Sequence, residues 1–251
     1  MTLQELNPGN ILKTSGSYWE ACTLHAGVKL DVFSIIGNKH LTQKDVADKL
    51  HGDQKGVEML LNALSAMGLL EKNDNTYSNT PLSSTFLVRD ASRYIGHIVK
   101  HHHHLVDSWS RLDVAVKSGQ PVRDSAAHTD EERRESFLMG MFNLAMNLAP
   151  IIVPKIDLSK CRHLMDMGGG PGTYSIHFCL INPNLKATII DLPSTRPFAE
   201  KTIAKFNLQD RIDFKSADYL EQEVEGIFDA AWLSHILHGE GPQDCRKIVG
   251  K

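Results

Sequence analysis

Apolar positions along this chain follow two different rhythms, one before and one after Leu158. In the first part they recur at helical spacing. Leu24, Val28, Leu30, Val32, Phe33, Ile35 and Ile36 form a dense apolar stretch. LTQKDVADKL then opens a helix with Thr42 as the expected N-cap and Asp45 at N3, where an acidic side chain helps. In GVEMLLNALSAMGLLEK, Val57, Leu60, Leu61, Leu64 and Met67 share one face, and Gly68 is the expected C′ stop. LLEKNDNTYSNTP reads as a hairpin turning at Asn73-Asp74-Asn75. Two helices followed by a hairpin make a winged helix-turn-helix. A long helix is expected from Arg93 to about Gly119, ended by Ser118-Gly119-Gln120-Pro121. Another opens at a capping box with Thr129 as cap and Glu132 at N3, and runs through ESFLMGMFNLAMNLAP to stop by Pro150. Its apolar residues nearly surround it, so it is expected to be buried between domains.

After Leu158 the rhythm shortens. CRHLMDM, LKATIID, RIDFKSAD and IFDAAWLSHIL are strand-like runs, and helical patterns separate the first three. That alternation describes parallel βαβ units.

Composition narrows the function classes. An apolar share of 41% and a charged share of 23% are ordinary for a globular chain. The formal net charge of −3 disfavours a general nucleic-acid binder, which needs a basic surface. The winged unit sharpens that point. From Leu41 to Asp90, five basic residues (Lys44, Lys49, Lys55, Lys72, Arg89) face seven acidic ones (Asp45, Asp48, Asp53, Glu58, Glu71, Asp74, Asp90). A recognition helix so poor in base-reading side chains favours a packing or dimerisation module over a transcription regulator. The N-terminal MTLQELNPGN has neither a basic nor an apolar signal region, and no run approaches the ~18 apolar residues of a membrane span. Cys22, Cys161, Cys179 and Cys245 are scattered without a Cys-x-x-Cys pair, which points to a reducing, cytoplasmic setting. His97, His101 and His104 share a helical face within a run of histidines that sits inside a continuous helical pattern. Such a face could bind a metal, but an ordinary polar or pocket-facing stripe is the favoured reading, and no metal is expected.

The chemistry concentrates around LMDMGGGPGTYSI. A strand ending at Asp166-Met167 runs into Gly168-Gly169-Gly170-Pro171-Gly172, and Thr173 to Leu180 begins a helix. Glycines reach positive φ and carry no Cβ, so a ligand can lie against the backbone at the sheet's carboxyl edge. The dinucleotide fingerprint G-x-G-x-x-G would need its third glycine at Thr173. Asp-x-Gly-x-Gly-x-Gly instead suits a ligand without pyrophosphate but with a positively charged amino-acid part. The next strand ends in Asp191, placed to accept from both ribose hydroxyls of a nucleoside. The third ends at Ser216-Ala217-Asp218-Tyr219, where a carboxylate can accept from an adenine amino group and a ring can stack on the base. Each aspartate alone reads equally well as a solvated strand cap. Three acids at successive strand ends beside a glycine turn do not.

Taken in order, LMDMGGGPGTYSI, IIDLPSTRPFAEKTI, DRIDFKSADYLEQ and FDAAWLSHILHGEGPQDCRKI resemble the S-adenosylmethionine (SAM)-dependent small-molecule O-methyltransferases. These include the plant caffeate and hydroxyindole types and bacterial polyketide-tailoring relatives. LLNALSAMGLLEKNDNTYSNTPLS is similar to the winged-helix signature that precedes the catalytic domain in that family. The resemblance covers essentially the whole chain. It implies a mainly α N-terminal winged-helix dimerisation domain (1–92), helical connector and substrate-pocket helices (93–157), and an α/β Rossmann-like class I methyltransferase domain with an incomplete sheet (158–251). It implies SAM as cofactor, S-adenosylhomocysteine (SAH) as product, a homodimer formed through the N-terminal domain, and a small hydroxylated aromatic or polyketide-like substrate. Gly168, Gly170 and Gly172 would line the methionine part of SAM, Asp191 would bind ribose, and Asp218 with Tyr219 would hold adenine. Asp166 stands at the strand end beside them.

The resemblance places His238 at the family's catalytic histidine. The pattern there usually reads His-Asp-Trp, whereas this chain has His238-Gly239-Glu240, and Ser234 stands where plant members carry a lysine. The chemistry independently suits imidazole. Methyl transfer from a sulfonium needs a deprotonated oxygen in line with the methyl group. A phenol with pKa near ~10 is then served by a base with pKa near ~6.5. His235 reads as a packing or substrate-lining residue. Phe142 and Met146 match a Phe-x-x-x-Met stretch near SAM and substrate in the family, and simple core packing at i and i+4 fits them equally.

Four strands follow Leu158, where the resembled family has seven. The expectation is an unfinished sheet with an exposed edge at the fourth strand and weakened or absent catalysis. The alternatives are a catalytically impaired dimeric SAM- or ligand-binding relative, or a C- or N-methyltransferase.

Overall fold

The computed structural model describes residues 7–122 and 130–251. The chain divides into two compact units, Met1–Ala127 and His128–Lys251. The first begins with α1 (Gly9–Gly16), α2 (Tyr18–Lys29) and α3 (Val32–Ile36), then β1 (Leu41–Thr42), α4 (Gln43–Leu50) and α5 (Gln54–Ala66). The hairpin β2 (Leu70–Asn73) and β3 (Thr76–Asn79) follows, then α6 (Pro81–Phe86), α7 (Gly96–Trp109) and α8 (Leu112–Ser118). The strands pair antiparallel in the order β1-β3-β2, the wing of a winged helix.

The local signals act as expected. The Thr42 amide donates to Asp45 Oδ2 at 2.9 Å and the Asp45 amide donates back to Thr42 Oγ1 at 3.2 Å, a complete capping box. Past α5, Gly68 takes φ +70° and the Leu69 amide reaches the Leu64 carbonyl at 3.0 Å, the Schellman closure. Asn73 pairs with Thr76, leaving a two-residue turn in which Asp74 carries φ +52°. Val32, Phe33, Ile36, Leu61, Leu64 and Tyr77 form the core of this unit.

Other features differ from the sequence pattern. The long helix expected over 93–119 is two helices. The Ser110 hydroxyl donates to the Asp107 carbonyl at 2.8 Å and Arg111 Nε to the same oxygen at 3.3 Å, so side chains take over a carbonyl near the end of the first helix. Ile11, Leu12, Tyr18, Trp19, Leu112 and Val116 are large apolar residues left exposed on α1, α2 and α8.

The second unit opens with α9 (Glu131–Ile152), followed by β4 (His163–Met167), α10 (Thr173–Ile181), β5 (Lys186–Asp191) and α11 (Arg196–Lys205). β6 (Ile212–Ser216), β7 (Ala230–Leu233) and α12 (Pro242–Val249) complete it. Thr129, the expected cap of α9, lies outside the described residues. Asp130 caps the helix, accepting the Glu132 and Arg133 amides at 2.9 and 3.2 Å. The helix does not stop at Pro150 but carries it inside its last turn and ends at Ile152. Nor is it buried all round: Leu138, Phe142 and Ala149 are buried, while Leu144, Leu148 and Ile151 are exposed. The segment Glu131–Lys155 reaches a mean hydropathy of 1.6 and is, by length and composition alone, apolar enough to cross a membrane.

The sheet of the second unit is parallel, in the order β6-β5-β4-β7, and β7 stands on its edge. β4 lies inside, between β5 and β7, and is buried from Leu164 onward. That central position fixes where its carboxyl end, and the glycine turn after it, can point.

Candidate functional site

Strand β4 ends under a turn that only glycine can make. Gly168, Gly170 and Gly172 take φ of +64°, +55° and +80°. A Cβ on Gly172 would lie 2.5 Å from Ile189 Cδ1, and one on Gly168 would lie 2.3 Å from Ile236 Cγ2. A Cβ on Gly170 would meet no atom within 4 Å, so this is the glycine that faces open space.

Three anchors hold the turn. The Gly168 amide donates to the Ile190 carbonyl at 2.8 Å. The Gly170 amide donates to Asp191 Oδ2 at 2.9 Å. The Thr202 hydroxyl on α11 reaches the Pro171 carbonyl, shared with the carbonyls of Phe198 and Ala199. Beyond the turn, α10 begins directly, with its first amides aimed at the same edge.

Two carboxylates flank this turn. Asp166 is 1% exposed, and its Oδ2 accepts the Ser175 hydroxyl at 2.7 Å. Burial pushes its acid up to about 7, against the opposing pull of the Ser175 hydrogen bonds. It lies directly beneath Gly169, whose Cβ would come within 2.6 Å of the carboxyl carbon. Asp191 closes β5. Besides Gly170, it accepts the Leu192 amide at 2.7 Å and the Thr195 hydroxyl at 3.1 Å through Oδ1. Burial raises its pKa despite these bonds.

At the end of β6, Asp218 Oδ1 accepts the Leu220 amide at 3.0 Å, and its own amide donates to Gln222 Oε1 at 2.9 Å. Tyr219 is half-buried. Burial raises its phenol first, and the charges of Asp191, Glu240 and Asp218 raise it further. Those three acids therefore act on one tyrosine although they come from the ends of β5 and β6 and from the C-cap of the turn Leu237–Gly239 after β7.

His235 and His238 follow β7. His238 sits in a short 3-10 turn, Leu237–Gly239, and both rings are exposed. His235 has φ +57°, and the two rings meet edge to face with centroids 5.7 Å apart. The Cys245 thiol on α12 donates to the Leu237 carbonyl at 3.2 Å, tying the turn to the following helix. Ile236 between the histidines reaches back against Gly168, which links this loop to the glycine turn. On α9, Phe142 is buried and Met146, one turn on, is half-buried.

The geometry thus gathers Gly168, Gly170, Gly172, Asp191 and Tyr219 along one sheet edge, with Asp166 beneath it. Sequence reasoning missed Ser175, Thr195, Thr202 and Ile236. Ser175 and Thr195 were findable, because a hydroxyl within the next turn or two of a strand-end acid is a ready local donor. The Ile236–Gly168 contact carries no sequence signal. Among the described residues, no group of three or more His, Cys, Asp or Glu could hold a metal ion.

The edge fits a nucleoside carrying a cationic amino-acid arm, and comparison with known proteins agrees. The O-methyltransferase dimerisation domain matches residues 12–89 and the O-methyltransferase domain matches residues 116–251. The chain is 32% identical over 237 residues to 3-hydroxy-5-methyl-1-naphthoate 3-O-methyltransferase of Streptomyces sahachiroi, covering 92% of this chain and 69% of that protein. An O-methyltransferase family protein from Burkholderia thailandensis superposes with a TM-score of 0.85 at 29% identity, covering 98% of this chain and 75% of that one. Human N-acetylserotonin methyltransferase in complex with SAM gives a TM-score of 0.83 at 22% identity, covering 99% and 76%.

Proposed function

Because this chain belongs to the O-methyltransferase family and is a SAM-dependent enzyme, we propose that it moves the SAM methyl group to a hydroxyl of a small aromatic or polyketide-like molecule, with His238 as the base. The observation that carries the reading is the glycine turn. It opens at Gly170 and is bounded by Asp191 and by Tyr219 with its surrounding acids.

Each residue then has a task. Gly168, Gly170 and Gly172 let the methionine part of SAM lie against the backbone. Asp191 accepts from the ribose hydroxyls, exchanging its bonds to Leu192 and Thr195 for bonds to the ligand. Asp218 and Tyr219 hold the adenine by acceptance and stacking. His238 takes the proton from the acceptor hydroxyl as the oxygen attacks the methyl carbon and the carbon–sulfur bond breaks, leaving neutral SAH. Phe142, Met146 and His235 line the acceptor pocket. Holding donor and acceptor in line supplies much of the rate.

The N-terminal unit joins two copies into a homodimer. The family match of residues 12–89 supports this, as do the exposed Ile11, Leu12, Tyr18, Trp19, Leu112 and Val116. A cytoplasmic setting accords with four free cysteines. The O-methyl reading is favoured by the naphthoate 3-O-methyltransferase at 32% identity, above the 27% and 26% of relatives named as an N,N-dimethyltransferase and a tyrosine C-methyltransferase. Isothermal titration with SAM and SAH tests the cofactor half: micromolar binding of both is expected, and failure of both to bind overturns it.

A further inference from the structure

We propose that the buried Asp166–Ser175 pair beneath the glycine turn is the charge selector of the cofactor site, favouring the cationic methyl donor over its neutral product. This rests on the cofactor reading above and deepens it. SAM and SAH differ by one methyl group and one positive charge, at sulfur. A site that must accept one and release the other gains by sensing that charge.

The geometry provides a sensor. Asp166 lies in the central strand with 1% exposure, in contact with the backbone of Gly169. Its hydrogen bonds come from Ser175, which is itself fully buried. The titratable groups acting on it from neighbouring elements are Asp191 of β5 and Cys179 of α10, and β7 sets the neutral Trp232 beside it in register. None of these can supply positive charge. The nearest guanidinium on this edge, Arg196, bonds Ser216 and pairs with Glu200 at 3.4 Å. Arg211 is bound to the carbonyls of Leu185, Cys179 and Asn182 before β6 begins, at the opposite end of the sheet.

A carboxyl buried this deeply without a cation holds a proton near neutral pH. A sulfonium bound against the turn favours the ionised form, so SAM binding expels that proton to solvent. SAH carries only the ammonium that both ligands share and lacks the second charge at sulfur, so it leaves more of the proton in place. The converse follows: once the methyl group has left, buried Asp166 faces one positive charge fewer, which weakens product binding. Ser175 is a positioning residue here. Its hydroxyl points at Oδ2 and stabilises the ionised form, setting the pH at which selection begins.

The test is calorimetric titration of the full chain with SAM and SAH from pH 5.5 to 8, in two buffers of different ionisation enthalpy. For the wild type, SAM binding releases more protons than SAH binding at the acid end of the range. The SAM-over-SAH preference rises with pH, by up to about tenfold per unit that binding lowers the acid's pKa. Asp166→Asn removes the extra proton release and flattens the preference, while carrying the ligands' own titrations unchanged. Ser175→Ala keeps the preference but shifts its onset to higher pH. Retained SAH affinity in each variant shows that the turn still folds. Tight binding of both ligands with a pH-invariant ratio, or an unaltered pH profile in Asp166→Asn, overturns the selector alone. Failure of the wild type to bind either ligand overturns the cofactor reading, and the selector with it.

Discussion

The glycine turn and the histidine loop stand at the carboxyl ends of neighbouring strands, yet they are built in opposite ways. The turn is fixed by backbone. Three glycines at positive φ, an amide on Asp191 and a threonine hydroxyl on Pro171 leave it one shape. The loop is fixed by little. His235 and His238 are exposed, touch each other's rings, and depend on Cys245 and Ile236 for their link to the rest. On the proposed reading, donor recognition is written into the chain's path, whereas the proposed acid–base chemistry hangs on side chains at a surface. The two regions should fail differently when altered.

Removing the imidazole gives the largest expected effect. His238→Ala should lower single-turnover methyl transfer by about 100-fold or more, the usual worth of a positioned base. Its SAM affinity should stay within about twofold. An equal loss of both would place His238 in the donor site instead.

Next come the glycines. Gly172→Ala meets Ile189 and a left-handed backbone together, so about 2–4 kcal/mol of stability should be lost in chemical denaturation. Gly170→Ala meets only strain, roughly 1–2 kcal/mol, but intrudes where the ligand lies, so SAM affinity should fall further than stability. Equal behaviour of the two variants would erase the distinction between packed and open glycines.

Asp166 gives a third test, in the ligand-free chain. Its acid is raised from 3.8 to about 7, so the folded state binds more protons than the unfolded between those values. Stability contributed by the neutral form is complete below the unfolded pKa and is lost as pH rises through the folded one. Asp166→Asn should therefore raise the denaturation midpoint at pH 8 more than at pH 5, by roughly 2–4 kcal/mol at most. A larger gain at pH 5 would contradict the sign.

The smallest effect lies far from both regions. Thr42→Ala breaks the capping box of α4 and should cost about 1 kcal/mol in thermal unfolding, with SAM binding unchanged.

Legibility in the sequence followed the range of the forces involved. The capping box at Thr42, the stop at Gly68 and the hairpin at Asp74 are decided within a few residues, and each was readable. The glycine turn was readable because positive φ restricts residue choice. The break between α7 and α8 was not, since hydroxyl and guanidinium bonds to one carbonyl outweigh a continuous apolar pattern. Surrounding apolarity in α9 suggested burial that Leu138, Phe142 and Ala149 achieve but Leu144, Leu148 and Ile151 do not. Tyr219 was readable as a residue at the third strand end, but its gathering of Asp191, Asp218 and Glu240 depends on sheet order, which no single segment encodes. The same holds for Ile236 against Gly168.

Strand β7 has a further consequence, for the order of events during synthesis. β4 pairs with β5 across a single helix, and β5 with β6 likewise, so both ladders can zip soon after each strand emerges. The other side of β4 waits for Ala230, and the amides of Arg162 and His163 wait for the Asp229 carboxylate, 67 and 66 residues downstream. Loop closure over that span is slow compared with local pairing. At some 5–20 residues per second, a ribosome takes several seconds to cover it. For that interval the glycine turn exists with half its sheet, and the strand beneath it keeps an open flank that a chaperone or a second nascent chain can reach.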